Sequence, residues 1–216
     1  MAQPNYESRW WGYIYDQMME NLPESVDNNQ RFYQRHLRDV TGPVLECACG
    51  TGLFLLPLLT AGHDIYGFDI SASMLATLKM KAARQGMAEI ERRISIQEFE
   101  TFRYDQPFAT ITIPTNTFSM LTTQEAQIKT LRNIRTHLAP GGKPLLDFRL
   151  PGLRGIVEEP PVVEGNWYTW THPESGGPIR QRIVGRRDFN HQLVLDHCFT
   201  PEGGSLDVGL EEVQSY

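Results

Sequence analysis

Cysteine and uninterrupted apolar sequence are what this chain has least of. Three cysteines, Cys47, Cys49 and Cys198, occur in 216 residues. An odd number, two of them separated by a single residue, excludes a disulfide framework and fits a reducing compartment. A C-x-C pair supplies two thiolates where zinc takes about four ligands. No second C-x-C or H-x-x-H follows, leaving only His191 and His197 as distant partners, so packing at a crowded turn is preferred over a metal or redox site. The strongest apolar run, LFLLPLLTA, is interrupted by Pro57 and falls far short of the roughly 18 residues of a membrane span. Positive charge is also scarce: the net charge of −6 gives no global pull toward nucleic acid or anionic lipid. The N-terminal MAQPNYESRW lacks the basic and apolar regions of a secretory leader. These absences predict a soluble, cytoplasmic protein with no membrane partner, no metal, and nucleic acid disfavoured.

What is present is an alternation of short apolar runs with helical patterns between Val44 and Phe148. VLECA, DIYGFDI, RISIQ, ATITIP and PLLDFRL read as successive strands. Between them, LFLLPLLTA and MLATLKMKAARQG read as helices, the second capped by Ser71 or Ser73. In TQEAQIKTLRNIRTHLAPGG, Ile128, Leu131, Ile134 and Leu138 recur at helical spacing, and Gly141 is the expected stop. Such alternation means an α/β fold, a doubly wound and mainly parallel sheet with ligands at the carboxyl ends of its strands.

Both flanks break the pattern and suggest three units: 1–40, 41–150 and 151–216. The first carries Tyr6, Trp10, Trp11, Tyr13 and Tyr15, then a helix with Arg31, Arg35 and Arg38 on one face. That stripe reads as a solvated helix face rather than a phosphate grip. The last begins with the loop PGLRGIVEEPPVVEG and continues as β-rich runs NWYTWT, IRQRIVGRRDF and QLVLDHCFT, an antiparallel meander. In it Trp167, Tyr168 and Trp170 are candidates to line an acceptor pocket, and Arg180 and Arg182 to hold an anion.

Chemistry concentrates behind the first strand, in VLECACGTG. Glycines there let a loop turn sharply and let a ligand approach its N–H groups, toward which the next helix would point its positive end. A dinucleotide and S-adenosylmethionine are the candidate ligands. The dinucleotide fingerprint requires a third glycine where GTGLFL has Leu55. Asp69, ending the second strand, is placed to accept both hydroxyls of a ribose. Glu98, after the third, can accept from an adenine amino group, and Phe99 offers adenine a ring. Together they suggest one adenosine site.

VLECACGTG, GFDISASML, QEFETF, FATITIPTNTF and LAPGGKPLLDF resemble the successive motifs of class I S-adenosylmethionine-dependent methyltransferases over about residues 44–150. YIYDQMM is similar to the opening of the group acting on small molecules. The resemblance implies a Rossmann-like core in which Glu46, Ala48, Gly50 and Gly52 frame the methionine part, with Cys49 in the same loop. It further implies that Asp69 takes the ribose, Ile70 and Met74 line the nucleoside, Glu98 and Phe99 take adenine, and Pro114 to Thr117 face the transferred methyl. Ala48 departs from the family, which usually has glycine there. PTNTF also lacks the N/D-P-P-Y/F pattern of adenine-N6 methylation.

The expected function is therefore methyl transfer from S-adenosylmethionine to a small-molecule nitrogen or oxygen nucleophile. Rival readings are a non-catalytic adenosine-ligand module, an NAD-dependent oxidoreductase, and a tRNA or protein methyltransferase on the same core. Aromatic faces stabilise a sulfonium cation, which makes Tyr15 the N-terminal candidate for a cofactor contact and the segment before it a lid. No catalytic residue is assigned: His172, His191, His197 and Asp147 are candidates for a base, and an amine acceptor needs none from the protein. Beyond the meander, SLDVGLEEVQSY shows no further helix-and-hairpin pattern to cover the fifth strand's edge. The choices are the meander itself, a second copy or a shortened chain, and the expectation is a homodimer through the meander.

Overall fold

The computed structural model describes residues 11–148, 162–171, 176–187, 192–201 and 208–215. Two helices, α1 (Trp11–Glu20) and α2 (Pro23–Leu37), precede a run of β1 (Val44–Cys47), α3 (Leu55–Thr60), β2 (Ile65–Asp69), α4 (Ala72–Arg84), α5 (Ile90–Arg93), β3 (Ile94–Ile96), β4 (Phe108–Ile113), α6 (Gln124–His137) and β5 (Leu138–Leu146). The five strands form one parallel sheet in the order β3-β2-β1-β4-β5. The chain builds outward from β1 to β3, then returns to the other side of β1 to lay down β4 and β5. The reversal leaves a crevice between the carboxyl ends of β1 and β4, where ligands bind in open sheets of this kind.

All of β1 is buried, which is why it reads as a continuous apolar run with one acid inside. Leu45 and Cys47 face a layer with Phe68, Phe102, Phe108, Ile111 and Ile134. Val44 faces the opposite layer, with Tyr33, Leu37, Leu55, Leu75 and Leu78. Ser71 is the cap of α4, its hydroxyl accepting from the Met74 N–H at 3.3 Å. Thr123 caps α6 in the same way through the Ala126 N–H.

Two boundaries differ from the sequence reading. Helix α6 ends at His137, not at Gly141, and Leu138 to Gly142 already belong to β5. Pro140 lacks an N–H and disfavours helical backbone at Ala139. Past it the chain runs tight against β4: a Cβ on Gly142 would sit 2.9 Å from the Phe108 carbonyl oxygen. The pairing jumps from Phe108↔Leu138 to Thr110↔Lys143 to absorb the extra residues. The meander is also larger than expected, with β6 (Val162–Thr171), β7 (Pro178–Arg187), β8 (Gln192–Pro201) and β9 (Val208–Ser215) in one antiparallel four-stranded sheet. VVEG is strand rather than loop, and VGLEEVQS supplies a fourth strand that its paired glutamates concealed. Among the described residues no meander strand pairs with β5.

Helix α1 joins the two sheets. Gln17 clasps the Thr171 backbone from both sides, its Nε2 donating to the carbonyl at 3.1 Å and its Oε1 accepting from the N–H at 3.0 Å. Gly12 lets α1 lie close to α4, since a Cβ there would meet Thr77 Oγ1 at 2.5 Å. Among the described residues, no helix is long and apolar enough to cross a membrane.

Candidate active site

The loop after β1 turns through three left-handed residues, Ala48 at φ 55°, Gly50 at φ 52° and Gly52 at φ 79°. Glycine adopts this region without steric cost; Ala48 carries a modest strain for the glycine it replaces. Cys49 N–H donates to the Phe68 carbonyl at 2.9 Å and ties the loop to β2. No Cβ fits at Gly52, where it would lie 2.8 Å from Leu78 and 2.9 Å from Leu56. Helix α3 begins only at Leu55 and spans 6 residues, so the loop, not a helix dipole, is the feature that presents N–H groups.

Asp69 holds this loop from the neighbouring strand. One carboxylate oxygen accepts from the Gly50 N–H and the other from the Ser71 N–H, both at 2.8 Å. Burial pushes its carboxyl above the usual range, and the N–H groups of Ser71, Gly50 and Ile70 pull in the opposite direction. Glu46, 1 % exposed, is more extreme. Its Oε2 has no hydrogen-bond partner. Burial, then the nearby Asp69 charge, holds its carboxyl well above the ordinary value. A buried carboxylate oxygen left unpaired beside a ligand loop is costly unless a donor or cation arrives to meet it.

The same burial pushes up the thiols of Cys47 and Cys49, which are free and packed. Cys49 fills the space a Cβ on Gly67 would need, 2.9 Å away. Among the described residues, no group of three or more His, Cys, Asp or Glu is placed to hold a metal ion.

The nucleoside candidates lie at the carboxyl ends of β2 and β3. Met74 is buried, Ile70 is 49 % exposed, and Glu98 is exposed. Phe99 is half-buried, its ring set edge-on to Phe68 at 6.0 Å. Ile96, not singled out in the sequence, pairs in register with Asp69 and is 63 % exposed. With Ile70 it gives two bare aliphatic side chains at adjacent strand ends. Its signal was its place as the last apolar residue of RISIQ.

Asp16, within YIYDQMM, does work that the sequence does not announce. It accepts from the Thr51 hydroxyl at 2.6 Å, and Lys81 of α4 donates to both its oxygens at 3.1 and 2.9 Å. One carboxylate thereby pins α1 to the glycine loop and to α4. Tyr15, beside it, is half-buried.

The loop after β4 lies across the crevice. Pro114 is buried, and Thr115 and Asn116 are both left-handed at φ 59°. Asp147, just past β5, accepts from the Asn116 N–H at 2.9 Å and from the Tyr33 hydroxyl at 2.5 Å. Both Asp147 oxygens therefore serve protein donors, which does not favour a base role. Burial, then the Asp147 hydrogen bond, raises the Tyr33 phenol far above its ordinary value.

The remaining candidates contribute little here. Arg31, Arg35 and Arg38 are exposed, as a solvated face should be. Trp170 is buried and Arg180 exposed on the meander. Tyr6, Trp10, His172 and His191 lie outside the described residues, as do the side chains of Trp11, Trp167, Tyr168, Arg182 and His197.

A parallel sheet in this order, with a glycine loop after β1 and an acid ending β2, is a Rossmann-like core of the kind that binds a nucleoside-bearing cofactor. Residues 44–142 match the family model described as a methyltransferase domain, and this stretch of the chain is such a domain. Over 108 residues the chain is 34% identical to the cypemycin N-terminal methyltransferase of a Streptomyces species, covering 50% of this chain and 42% of that protein. It thus spans less than half the length of that curated relative. Among solved structures, the CcbJ methyltransferase from Streptomyces caelestis superposes with a TM-score of 0.66 at 22% identity, over 88% of this chain and 72% of that one. The sugar N-methyltransferase KedS8 from a Streptoalloteichus species gives a TM-score of 0.66 at 16% identity, over 93% and 77%. At these identities the two structures speak for the fold.

Proposed function

We propose that the chain transfers the methyl group of S-adenosylmethionine to a nitrogen or oxygen nucleophile on a small molecule, an amine being the better supported. The observation that carries this reading is the unpaired, buried Glu46 oxygen beside the left-handed loop. S-adenosylmethionine has an α-ammonium group of the right charge for it. Asp69 would take the ribose: a carboxylate offers about four acceptor sites, more than the N–H groups of Gly50, Ser71 and Ile70 use. Ile70 and Ile96 would flank the adenine, with Glu98 and Phe99 at its edge and Met74 beneath the loop. Gly50, Gly52, Ala48 and Cys49 would frame the methionine part, with Tyr15 and Pro114 toward the methyl. The cofactor supplies the electrophile; the chain's residues bind it, exclude water and aim the acceptor.

The division of labour follows from this placement. Residues 41–150 would bind the cofactor, 1–40 cover it, and 151–216 supply the acceptor side. Strand β9 packs against the turn Thr117–Met120 that follows Asn116, which supports the last assignment. An amine acceptor agrees with the name of KedS8, a sugar N-methyltransferase, and with that of the cypemycin enzyme, an N-terminal methyltransferase, since a peptide N-terminus is an amine. A peptide α-amine is the second reading, favoured by the 34% identity to the former. The outer edge of β5 carries no strand among the described residues. We propose that a second copy covers it through the meander, giving a homodimer that sedimentation at micromolar concentration would reveal.

Calorimetric titration tests the cofactor. S-adenosylhomocysteine should bind and NAD should not, and Asp69→Ala should weaken binding by about 1.5–3 kcal/mol through loss of charged hydrogen bonds. Binding of NAD without any S-adenosyl ligand would overturn the reading. Release of S-adenosylhomocysteine with a panel of alkylamines, amino sugars and short peptides would then separate the acceptor classes.

A further inference from the structure

Two consecutive left-handed residues that are not glycine are rare, and a β-branched residue in that region is an outlier. Thr115 and Asn116 are both at φ 59°. Thr117 N–H donates to the Pro114 carbonyl at 3.3 Å, closing the pair as a turn of the type usually built from Asn-Gly. Elsewhere among the described residues, Ala48 apart, left-handed positions are glycine, as at Gly50, Gly52, Gly62 and Gly86. Here the chain keeps side chains. Such a conformation persists only where its surroundings over-determine it, and it concentrates at functional sites.

The surroundings do over-determine it. The Pro114 carbonyl also accepts from the hydroxyls of Thr115 at 2.7 Å and Thr117 at 2.6 Å. Three donors converge on that oxygen, so it is not the group that receives a proton from an acceptor amine. Ser119 donates its hydroxyl to the Asn116 carbonyl at 2.7 Å, and Asn116 Nδ2 donates to Ser119 Oγ at 2.9 Å. These bonds are internal to the turn and cannot fix its position on the sheet. A bond from outside the turn ties it to the sheet: Asn116 N–H to Asp147 at 2.9 Å. The register supplies the reason, since Ile113↔Leu146 pairing brings the residue just after β5 alongside the turn that follows β4. Tyr33, 1 % exposed on α2, then fixes the second oxygen of Asp147.

We infer that Asp147 is a positioning residue for methyl transfer: oriented by Tyr33, it holds the turn Pro114–Thr117 through the Asn116 N–H, and so sets the wall against which the acceptor is aimed. This rests on the reading above that the turn borders the transferred methyl. It removes Asp147 from the candidates for a base. It also gives α2 a role, because its buried tyrosine fixes the side chain that fixes the turn.

Amide hydrogen exchange at Asn116, followed by NMR, tests the inference together with S-adenosylhomocysteine affinity. Asp147→Ala should speed exchange at Asn116 by about tenfold or more, while S-adenosylhomocysteine affinity stays within about twofold. Asp147→Asn keeps an acceptor oxygen and should restore most of the protection. Should Asp147→Ala fail to fold, Tyr33→Phe keeps the packing and should loosen the Asn116 amide severalfold. Unchanged exchange in Asp147→Ala, or in Tyr33→Phe if that variant stands in for it, overturns the inference. So does an Asp147→Asn variant as loose as Asp147→Ala. With an acceptor from the amine panel, Asp147→Asn should recover turnover lost in Asp147→Ala. Lost turnover with Asn116 still protected would mark Asp147 as a proton acceptor, and would equally overturn it. A wild-type protein that binds no S-adenosyl ligand would defeat the methyltransferase reading and leave the exchange result standing.

Discussion

The two loops that border the crevice are built alike and furnished differently. Each follows a central strand, turns through left-handed residues, and is held by an aspartate from the next strand outward: Asp69 on Gly50, and Asp147 on Asn116. The first loop uses glycine at two of its three left-handed positions; the second uses threonine and asparagine. Where a ligand must come close to backbone N–H groups, a side chain is an obstacle and glycine is the economical choice. Where the partner is an acceptor to be aimed, side chains are useful, and the strain of keeping them is offset by the hydrogen bonds around them. On the proposed function, the difference separates a loop suited to binding from a loop suited to orientation.

Filling the first loop should have the largest effect. Gly52→Ala combines a left-handed alanine with a Cβ placed 2.8 and 2.9 Å from two buried leucines, Leu78 and Leu56. Together these should cost about 2–4 kcal/mol of stability, read from chemical denaturation. Gly62→Ala is the control: it shares a positive φ but meets nothing within 4 Å. It should cost only about 1 kcal/mol. Equal losses would mean that crowding plays no part in the choice of glycine.

Next comes the charge beneath the loop. The Glu46 carboxyl is raised in the folded state by burial. Below the unfolded carboxylate value of about 4.3, both states are protonated and stability is full. As pH rises, the unfolded chain ionises first, and stability falls until the folded carboxyl ionises as well. Glu46→Gln removes this loss. It should leave stability near pH 4 almost unchanged and raise that of the ligand-free protein by about 1–3 kcal/mol near pH 8. The same change should weaken S-adenosylhomocysteine binding, so stability and affinity move in opposite directions. Denaturation at the two pH values, paired with calorimetry, measures both; a variant less stable at pH 8 would show that a partner already satisfies Glu46.

Much of the first loop was legible in VLECACGTG, because strand burial and left-handed turns leave apolar runs and glycines behind them. The place of Asp69 at the end of the second strand was legible too, since an acid closes the apolar run DIYGFDI there; its hold on the Gly50 N–H was not. The second loop was not. PTNTF carries no glycine to announce a left-handed turn, and its holder Asp147 lies far away in sequence, brought near only by strand register. Tyr33 was lost for the same reason: on a helix rich in charge, one buried tyrosine resembles any amphipathic contact. The end of α6 was misread because Gly141 is a common helix stop, yet Pro140 acts earlier. Strand β9 went unread because adjacent glutamates lower strand propensity, and only its pairing with β8 overrides that.

A smaller effect is expected where α1 meets the first loop. Asp16 is bound by Thr51 and Lys81, with about a quarter of each charged side chain exposed. Asp16→Asn keeps an acceptor for the Thr51 hydroxyl and loses the ion pair. It should cost about 1 kcal/mol, faster hydrogen exchange over residues 11–20, and a severalfold loss of S-adenosylhomocysteine affinity. Lys81→Met in the Asp16→Asn background should add little, since the pair is already broken. Additive losses would mean that Lys81 acts independently of Asp16.

The smallest expected effect is the most direct test of the comparison. Thr115→Gly makes the second loop resemble the first. It relieves a left-handed β-branched residue, worth about 1–2 kcal/mol. Against this stand the greater freedom of glycine in the unfolded chain, about 0.5–1 kcal/mol, and one lost hydroxyl bond to the Pro114 carbonyl. That carbonyl keeps two other donors, both from Thr117, so it is not left unsatisfied. The balance should lie between neutrality and a gain of about 1 kcal/mol. Cofactor affinity should not change, because Asp69 and the glycine loop are untouched. Turnover, once an acceptor is known, should fall, because the wall that aims it has lost a side chain and gained freedom. A more stable protein with weaker turnover and the same S-adenosylhomocysteine affinity would show strain retained for orientation. A markedly less stable one would show that Thr115 is held by favourable contacts rather than kept in spite of its backbone, and the contrast between the loops would then rest on glycine's close approach alone.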